Sequence, residues 1–157
     1  FAPDLPITRA EFAAIMVRGL GLAPEDGTVP FADIKSGDWY AGVVRTAYEY
    51  GLLEGYEDGT FRPMERITRE QAMVIIAKAM ALTGLTADVS PADAEKTLAS
   101  FADAADVSEW ARSGMAAGLK AGIVSGRDGD RIAPGDSISR AEVAALVRRL
   151  LQKSGLI

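Results

Sequence analysis

Apolar residues recur with helical spacing in three segments, and each segment follows an Ile-Thr-Arg or Ile-Ser-Arg triplet. Positions three and four apart share one face of a helix, so the spacing predicts helices over residues 9–20, 69–83 and 140–153. The middle segment is apolar most of the way round, which predicts a largely buried helix. The longest uninterrupted apolar run, as at residues 72–77, is six residues, and this is too short for a membrane-spanning helix.

Two helices of a second type are predicted over residues 39–50 and 109–121. Each starts at or beside a tryptophan and ends at a glycine that suits a left-handed helix cap. Asp38 and Ser108 are predicted to cap their N-termini. An Asp-Gly pair follows each helix and predicts a short hairpin turn. A shorter helix is predicted over residues 91–99, because its first position is a proline preceded by a serine.

Two kinds of segment recur along the chain, which indicates internal repeats. The triplet segment occurs around Arg9, Arg69 and Arg140, which are separated by 60 and then 71 positions. A segment with a Phe-Ala-Asp start and a tryptophan occurs twice, from Phe31 and from Phe101. We therefore predict a single module over 1–157. It is built from the second half of a first repeat, a second repeat, an inserted connection with a short helix and a third repeat, with the bounds 1–22, 31–84, 85–100 and 101–157. Upstream residues, or another chain, are expected to complete the first repeat.

Each triplet segment contains a capping box, in which a hydroxyl accepts from a backbone N–H three residues on. The acidic or amide side chain at that third position reaches back to the N–H of the capping residue. The predicted pairs are Thr8 with Glu11, Thr68 with Gln71, and Ser139 with Glu142.

The composition narrows the chemistry. The chain has 17 Lys and Arg against 22 Asp and Glu, a net charge of −5, which disfavours nucleic acid as a partner. It has no Cys and no His, which removes disulfides, Ser-His-Asp triads and nearly every zinc, haem or iron–sulfur site. No metal or cofactor is predicted, since the acids around Gly129 lack the pattern of a calcium loop. No feature places two carboxylates around a substrate, so we expect no enzyme activity.

The repeated arginine is the strongest candidate binding residue. A positive charge at a helix N-terminus opposes the helix dipole, yet Arg occupies that place three times. One interpretation is a solvated side chain paired with a neighbouring acid. The other is a binding site for a carboxylate, which a guanidinium holds with two charge-assisted hydrogen bonds, helped by the helix N-terminus. We expect the fold to survive loss of each Arg, because the capping hydroxyl remains.

These segments resemble the S-layer homology (SLH) domain. The second repeat supplies the family pattern through Phe31, Asp33, Trp39, Gly51, Gly55, Asp58, Gly59, Phe61, Pro63 and residues 67–71. The third supplies it through Phe101, Asp103, Trp110, Gly122, Gly126, Asp128, Gly129, Pro134 and residues 138–142. The departures are Gln71 for the motif Glu, Ser139 for Thr, and Ile132 for an aromatic residue expected to pack the hairpin.

The resemblance implies a mainly α fold with pseudo-threefold symmetry, a central bundle of the triplet helices and peripheral tryptophan helices. It implies an extracellular protein, anchored non-covalently at the bacterial cell surface through a secondary cell-wall polymer that carries pyruvylated N-acetylmannosamine. The polymer would lie in grooves between repeats. By position, the ligand-binding residues would be Arg9, Arg69, Arg140, Trp39, Trp110, Gly55, Tyr56, Gly126 and Arg127.

Two alternatives stay open from the residues themselves. Trp39 and Trp110 fit a core position better than a sugar platform, although an indole ring serves both uses. Gly55 and Gly126 either allow a sugar close to the backbone or permit turns. The main alternative function is a structural or protein-interaction module that binds no glycan.

Overall fold

The computed structural model describes residues 4–85 and 89–157. Within these ranges the chain forms two short 3₁₀ helices, Ala104–Asp106 and Glu109–Ala111, and six α-helices: α1 Arg9–Gly19, α2 Ala41–Glu49, α3 Arg69–Leu82, α4 Pro91–Leu98, α5 Arg112–Lys120 and α6 Arg140–Lys153. The same ranges contain isolated β-bridges but no strands, so the predicted mainly α class is confirmed. Residues 1–3 of the first triplet segment and 86–88 of the predicted connection lie outside the described residues.

The three motif helices, α1, α3 and α6, meet at their N-terminal ends. The isoleucines that precede them are buried and form a closed ring of backbone hydrogen bonds. Ile7 N donates to Ile138 O at 3.2 Å, Ile67 N to Ile7 O at 3.1 Å, and Ile138 N to Ile67 O at 3.3 Å. Each segment donates to one neighbour and accepts from the other, which produces the pseudo-threefold centre that the resemblance implied.

The core lies on the inner faces of the motif helices. Met16, Ile76 and Val147 occupy the same register in α1, α3 and α6, and all three are buried. At the periphery α2 packs on α1, α5 packs on α3, and α4 packs on α5. Burial of these apolar faces at roughly 25 cal/mol per Å² supplies the main driving force for folding.

The helices that follow the tryptophans begin later than predicted. Helix α2 starts at Ala41 and α5 at Arg112, and neither has a side-chain cap. The predicted capping roles are therefore wrong. The Asp38 carboxylate accepts from Lys35 N at 2.9 Å instead, and the Ser108 hydroxyl donates to a Glu70 carboxylate oxygen at 2.7 Å.

An aspartate fixes the loop before each of the last two motif helices. Asp33 accepts from the backbone N–H groups of residues 61 and 62, both at 2.8 Å. Asp103 accepts from Ile132 N and Ala133 N at 2.7 and 2.8 Å. Burial opposes ionisation of Asp103, but the two backbone hydrogen bonds outweigh it and lower the pKa of this carboxyl. The paired bonds hold residues 62 and 133 at φ of 59° and 52°, a left-handed conformation that side chains otherwise disfavour.

The Asp-Gly pairs lie in tight turns. Tyr56 N donates to Thr60 O at 2.8 Å, and Arg127 N donates to Arg131 O at 2.7 Å. Through these turns, Tyr56 lies near Arg9 at the start of α1, and Arg127 lies near Arg69 at the start of α3. In both cases the motif helix belongs to the preceding repeat.

Candidate functional site

The backbone at the start of α1 and α3 is tied to the turn of the next repeat. The N–H groups of Arg9 and Ala10 donate to Glu65 O and Pro63 O at 2.8 and 2.9 Å. The N–H groups of residues 69 and 70 make the equivalent bonds to the carbonyls of residues 136 and 134 at 2.8 and 3.0 Å. The third N–H of each helix binds its capping hydroxyl. These three N–H donors are occupied in α1 and α3, so any help from these helix N-termini to an anion held by the arginine would come from the helix dipole and not from these hydrogen bonds.

Two grooves between neighbouring repeats contain most of the predicted ligand residues. Groove I, of about 180 Å³, includes Arg9, Gly55, Tyr56, Gln71, Lys78 and Trp110 in its lining. Groove II, of about 140 Å³, includes Arg69, Ser125, Gly126, Arg127, Glu142 and Arg149. Both are smaller than the roughly 300–1,000 Å³ pockets that hold drug-sized ligands, so each suits a small group or the end of a chain.

Arg9 lies at the floor of groove I and is only 5% exposed. Its Nε donates to Phe61 O at 2.9 Å and its Nη2 to Glu54 O at 3.0 Å. The guanidinium also lies over the rings of Tyr56 and Phe61, 5.0 and 4.7 Å from their centroids. Burial lowers the pKa of Arg9, but a guanidinium keeps its charge in proteins. The groove therefore has a buried cation held by carbonyls and ring faces.

Arg69 takes the same place in groove II and is 4% exposed. Its Nε donates to Ile132 O at 2.9 Å and its Nη2 to Ser125 O at 3.2 Å, which repeats the carbonyl contacts of Arg9. Its Nη1 forms an ion pair with Glu142. Burial is the main cause that lowers the pKa of Arg69, and the Glu142 carboxylate acts in the opposite direction.

Arg140 has a different environment. Its side chain is 33% exposed and its Nη2 pairs with Glu11 on α1. All three motif helices have the predicted capping boxes. Of the three motif arginines, however, only Arg9 and Arg69 are buried, each by the loop of the following repeat. The solvated interpretation of the arginines is wrong for these two.

The tryptophans are exposed, and the interpretation of them as core residues is wrong. Trp39 and Trp110 are both 60% exposed. Trp110 lines groove I, whereas Trp39 packs edge-on against Tyr40 with ring centroids 5.3 Å apart and lines neither groove. Each precedes its helix instead of lying on the buried face, so the helical spacing that suggested a core position does not apply.

Packing within each loop explains why glycine occupies positions 55 and 126. A Cβ atom on Gly55 would lie 2.3 Å from the Phe31 ring and 2.8 Å from Thr60 O. A Cβ atom on Gly126 would lie 2.9 Å from both the Phe101 ring and Arg131 O. Close packing of each loop on its own phenylalanine therefore requires glycine.

A model of the S-layer homology domain matches residues 30–73 and 100–144. These two segments contain both Phe-Ala-Asp starts, both tryptophans and the last two capping boxes. The chain belongs to the S-layer homology family. The two SLH segments cover more than half of the chain. Among the lining residues named above, they supply all of groove II except Arg149 and all of groove I except Arg9 and Lys78.

This SLH module is similar along its whole length to parts of larger proteins. It is 37% identical to the amylopullulanase of Thermoanaerobacterium thermosulfurigenes over 100% of this chain and 8% of the relative. It is 31% identical to the surface-layer 125 kDa protein of Lysinibacillus sphaericus, over 97% and 12%. It is 30% identical to the cellulosome-anchoring protein of Acetivibrio thermocellus, over 99% and 34%. The chain thus spans a minor part of each relative, and the SLH domain itself is non-catalytic.

Sequence reasoning missed Lys78, Arg149 and Glu70 of the SLH module. Lys78 and Arg149 line grooves I and II, each nine positions after its motif arginine, and Arg18 has the same register. The sequence contained a signal for this recurrence. A residue seven positions after the capping-box Gln or Glu lies on the same helix face as that Gln or Glu. Glu70 is buried and accepts from Ser108 N and Oγ at 2.9 and 2.7 Å, which fixes the third repeat to α3. It has no charged counterpart in the other repeats, so no repeat signal marked it.

The part of the chain that the structure describes lacks features suited to binding a metal ion through a side-chain cluster or to spanning a bilayer with a helix. Residues 4–85 and 89–157 contain no cluster of three or more His, Cys, Asp or Glu side chains suited to a metal ion. Among those same residues, no helix is both long and apolar enough to cross a bilayer.

Proposed function

We propose that this SLH module anchors an exported protein to the bacterial cell wall by binding a pyruvylated secondary cell-wall polymer in its inter-repeat grooves. Groove I carries the proposal, because Arg9 is a buried cation that faces a cleft between repeats. The names of the surface-layer and cellulosome-anchoring relatives support a location at the cell surface.

The chemistry of groove I suits an acidic sugar. A ketal-linked pyruvate retains a carboxylate, and a guanidinium binds carboxylates with short charge-assisted hydrogen bonds. Trp110 adds an exposed aromatic face for the apolar side of a sugar ring. Tyr56 lines the same groove, and the guanidinium groups of Arg9 and Arg62 lie over its ring. Gln71 and Lys78 add hydrogen-bond donors from α3. In this mechanism recognition involves no bond making or breaking.

The remaining predicted ligand residues stay proposals. Arg69, Gly126 and Arg127 hold the equivalent positions in groove II, and Arg140 holds the motif position of α6. Trp39 is exposed but lies outside both grooves, so it is a weaker candidate than Trp110.

The test is retention of the purified chain on three cell-wall preparations: intact, stripped of the secondary polymer, and carrying polymer without pyruvate. We expect sedimentation with the first preparation only. Loss of one charge-assisted contact corresponds to about 2–3 kcal/mol, or roughly 30- to 150-fold in affinity. Equal retention on all three preparations would contradict glycan anchoring and favour a protein-interaction module.

A further inference from the structure

The two buried arginines differ in one donor. Both use Nε and Nη2 on loop carbonyls. Arg69 uses Nη1 on Glu142, whereas Arg9 Nη1 makes no hydrogen bond with any residue in 4–85 or 89–157. Within those ranges it is also not among the buried unsatisfied atoms, so it is open to groove I. A donor on a side chain that is otherwise buried points at the space where a ligand would lie.

The difference arises from the third residue of the next motif helix. Glu142 supplies the carboxylate to Arg69, and the same register in α3 holds Gln71. The Gln71 amide caps Thr68 through its oxygen at 3.0 Å and donates through its nitrogen to Tyr56 Oη at 3.3 Å. Neither amide atom hydrogen-bonds to Arg9 in the described structure. The acid that lines groove I, Glu54, forms an ion pair with Lys78 at 3.8 Å, so within the described residues no carboxylate pairs with Arg9 as Glu142 does with Arg69.

Groove II is arranged as an anion site that its own side chain fills. Arg127 Nη2 binds the second oxygen of Glu142, while Arg69 binds the first. Two guanidinium groups thus hold one carboxylate. Arg127 is held in turn by Asp136 at 3.1 Å. An external carboxylate must displace Glu142 to reach Arg69.

We propose that Gln71 and Glu142 decide which groove accepts an anionic group: Gln71 leaves groove I open, and Glu142 occupies groove II from within. Glu11 pairs with Arg140 in the same manner. This inference rests on the proposed function only for the identity of the sugar. On this inference, residues 4–85 and 89–157 offer one open anion site, with Arg9 at its floor, despite the three motif arginines.

The chain itself provides matched variants for the test. Gln71→Glu copies the capping box of α6, and Glu142→Gln copies that of α3, so each variant keeps a box that this fold already uses. Circular dichroism and thermal unfolding check that both remain folded. The probes are a methyl glycoside of pyruvylated N-acetylmannosamine and, separately, sodium pyruvate against sodium chloride at equal ionic strength.

Binding is measured by calorimetry, and the groove is located by amide NMR shifts of Gly55 and Gly126. We expect one site in the unmodified protein, with shifts at Gly55. Gln71→Glu should weaken it about tenfold to a hundredfold, because a charge-assisted contact is lost to an internal carboxylate. Glu142→Gln should add a second site with shifts at Gly126.

The outcomes separate the two proposals. If Gln71→Glu binds like the unmodified protein, or Glu142→Gln gains no site, the inference is overturned while the glycan proposal stands. If sodium pyruvate follows the expected pattern and the glycoside does not bind, the inference stands and the glycan proposal fails. If neither probe binds the unmodified protein, both proposals are overturned.

Discussion

In grooves I and II a buried arginine donates to the carbonyls of equivalent loop residues, but the other groups that surround its charge differ. Three positions change together: Tyr56, Phe61 and Gln71 in groove I correspond to Arg127, Ile132 and Glu142 in groove II. In groove I two aromatic faces lie against the guanidinium. In groove II an aliphatic side chain replaces the phenylalanine, and a carboxylate carries the compensating charge.

The comparison shows that two equally buried arginines can have different partners. A buried charge is costly unless it is hydrogen-bonded and paired. The carbonyl contacts satisfy part of that requirement in both grooves. Groove II completes it through Glu142, whereas Arg9 keeps one donor without a hydrogen bond among residues 4–85 and 89–157. The same difference accounts for Ile132, which stands where the second repeat has Phe61. Arg69 is paired with Glu142, so it does not need the ring face that Phe61 offers to Arg9.

The largest expected effect is loss of stability on removing either buried arginine. Arg9→Ala and Arg69→Ala each leave two loop carbonyls without their donor, so we expect a decrease of about 2–4 kcal/mol in the free energy of unfolding. This revises the sequence-based expectation that the capping hydroxyl suffices. Urea unfolding followed by circular dichroism measures it. Arg140→Ala is the control and should cost at most about 1 kcal/mol, as for an exposed ion pair. Identical unfolding curves for all three variants would contradict the claim that Arg9 and Arg69 contribute more to stability than Arg140.

The second effect distinguishes the loops of the two grooves. Gly55→Ala forces a methyl group to within 2.3 Å of the Phe31 ring, while Gly126→Ala brings one to 2.9 Å from the Phe101 ring. Overpacking of this kind costs about 1–3 kcal/mol, and we expect the Gly55 variant to be the less stable one. Thermal melts of both variants give the order. The reverse order would show that the loop of groove II is the more tightly packed.

The third effect is pH-dependent and concerns the loop of groove II. The pKa of Asp103 is lowered in the folded protein, so its carboxylate stabilises the fold above the unfolded pKa of about 3.9. That contribution is lost as pH falls through the lower folded pKa. Asp103→Asn should therefore be less stable at pH 6, by about 1 kcal/mol or less because solvent screens this partly exposed carboxylate, and the gap should close as pH falls below about 4. Thermal melts across pH measure this gap, and one that stays constant down to pH 2 would contradict the ionic role.

The smallest effect on stability is expected at the tryptophans. Trp39→Ala and Trp110→Ala remove largely exposed side chains, so each should change the free energy of unfolding by about 0.5 kcal/mol or less. Only Trp110 lines groove I, and its loss should weaken glycoside binding about twofold to tenfold. Calorimetry on both variants tests this. Equal weakening by the two variants would place part of the ligand outside groove I.

Local patterns in the sequence were sufficient for much of the fold. Capping boxes depend on residues three apart, so the starts of α1, α3 and α6 were predictable at Arg9, Arg69 and Arg140. The starts of α2 and α5 were not, because Asp38 and Ser108 bind partners outside their own helices. The exposure of Trp110 was also unpredictable, since it depends on which repeat lies beside this side chain.

The sequence by itself determined the repeats, the helices that begin at hydroxyl caps, the family and the three arginine positions. Each of these follows from spacing or from contacts within a few residues. Only the tertiary structure decided what each arginine meets, because Glu142 reaches Arg69 across 73 positions and Glu54 lies 45 positions from Arg9. The exchange of Glu for Gln at position 71 was visible in the sequence as a mild departure. Its consequence, an open donor on a buried cation, exists only because the next repeat folds over the first.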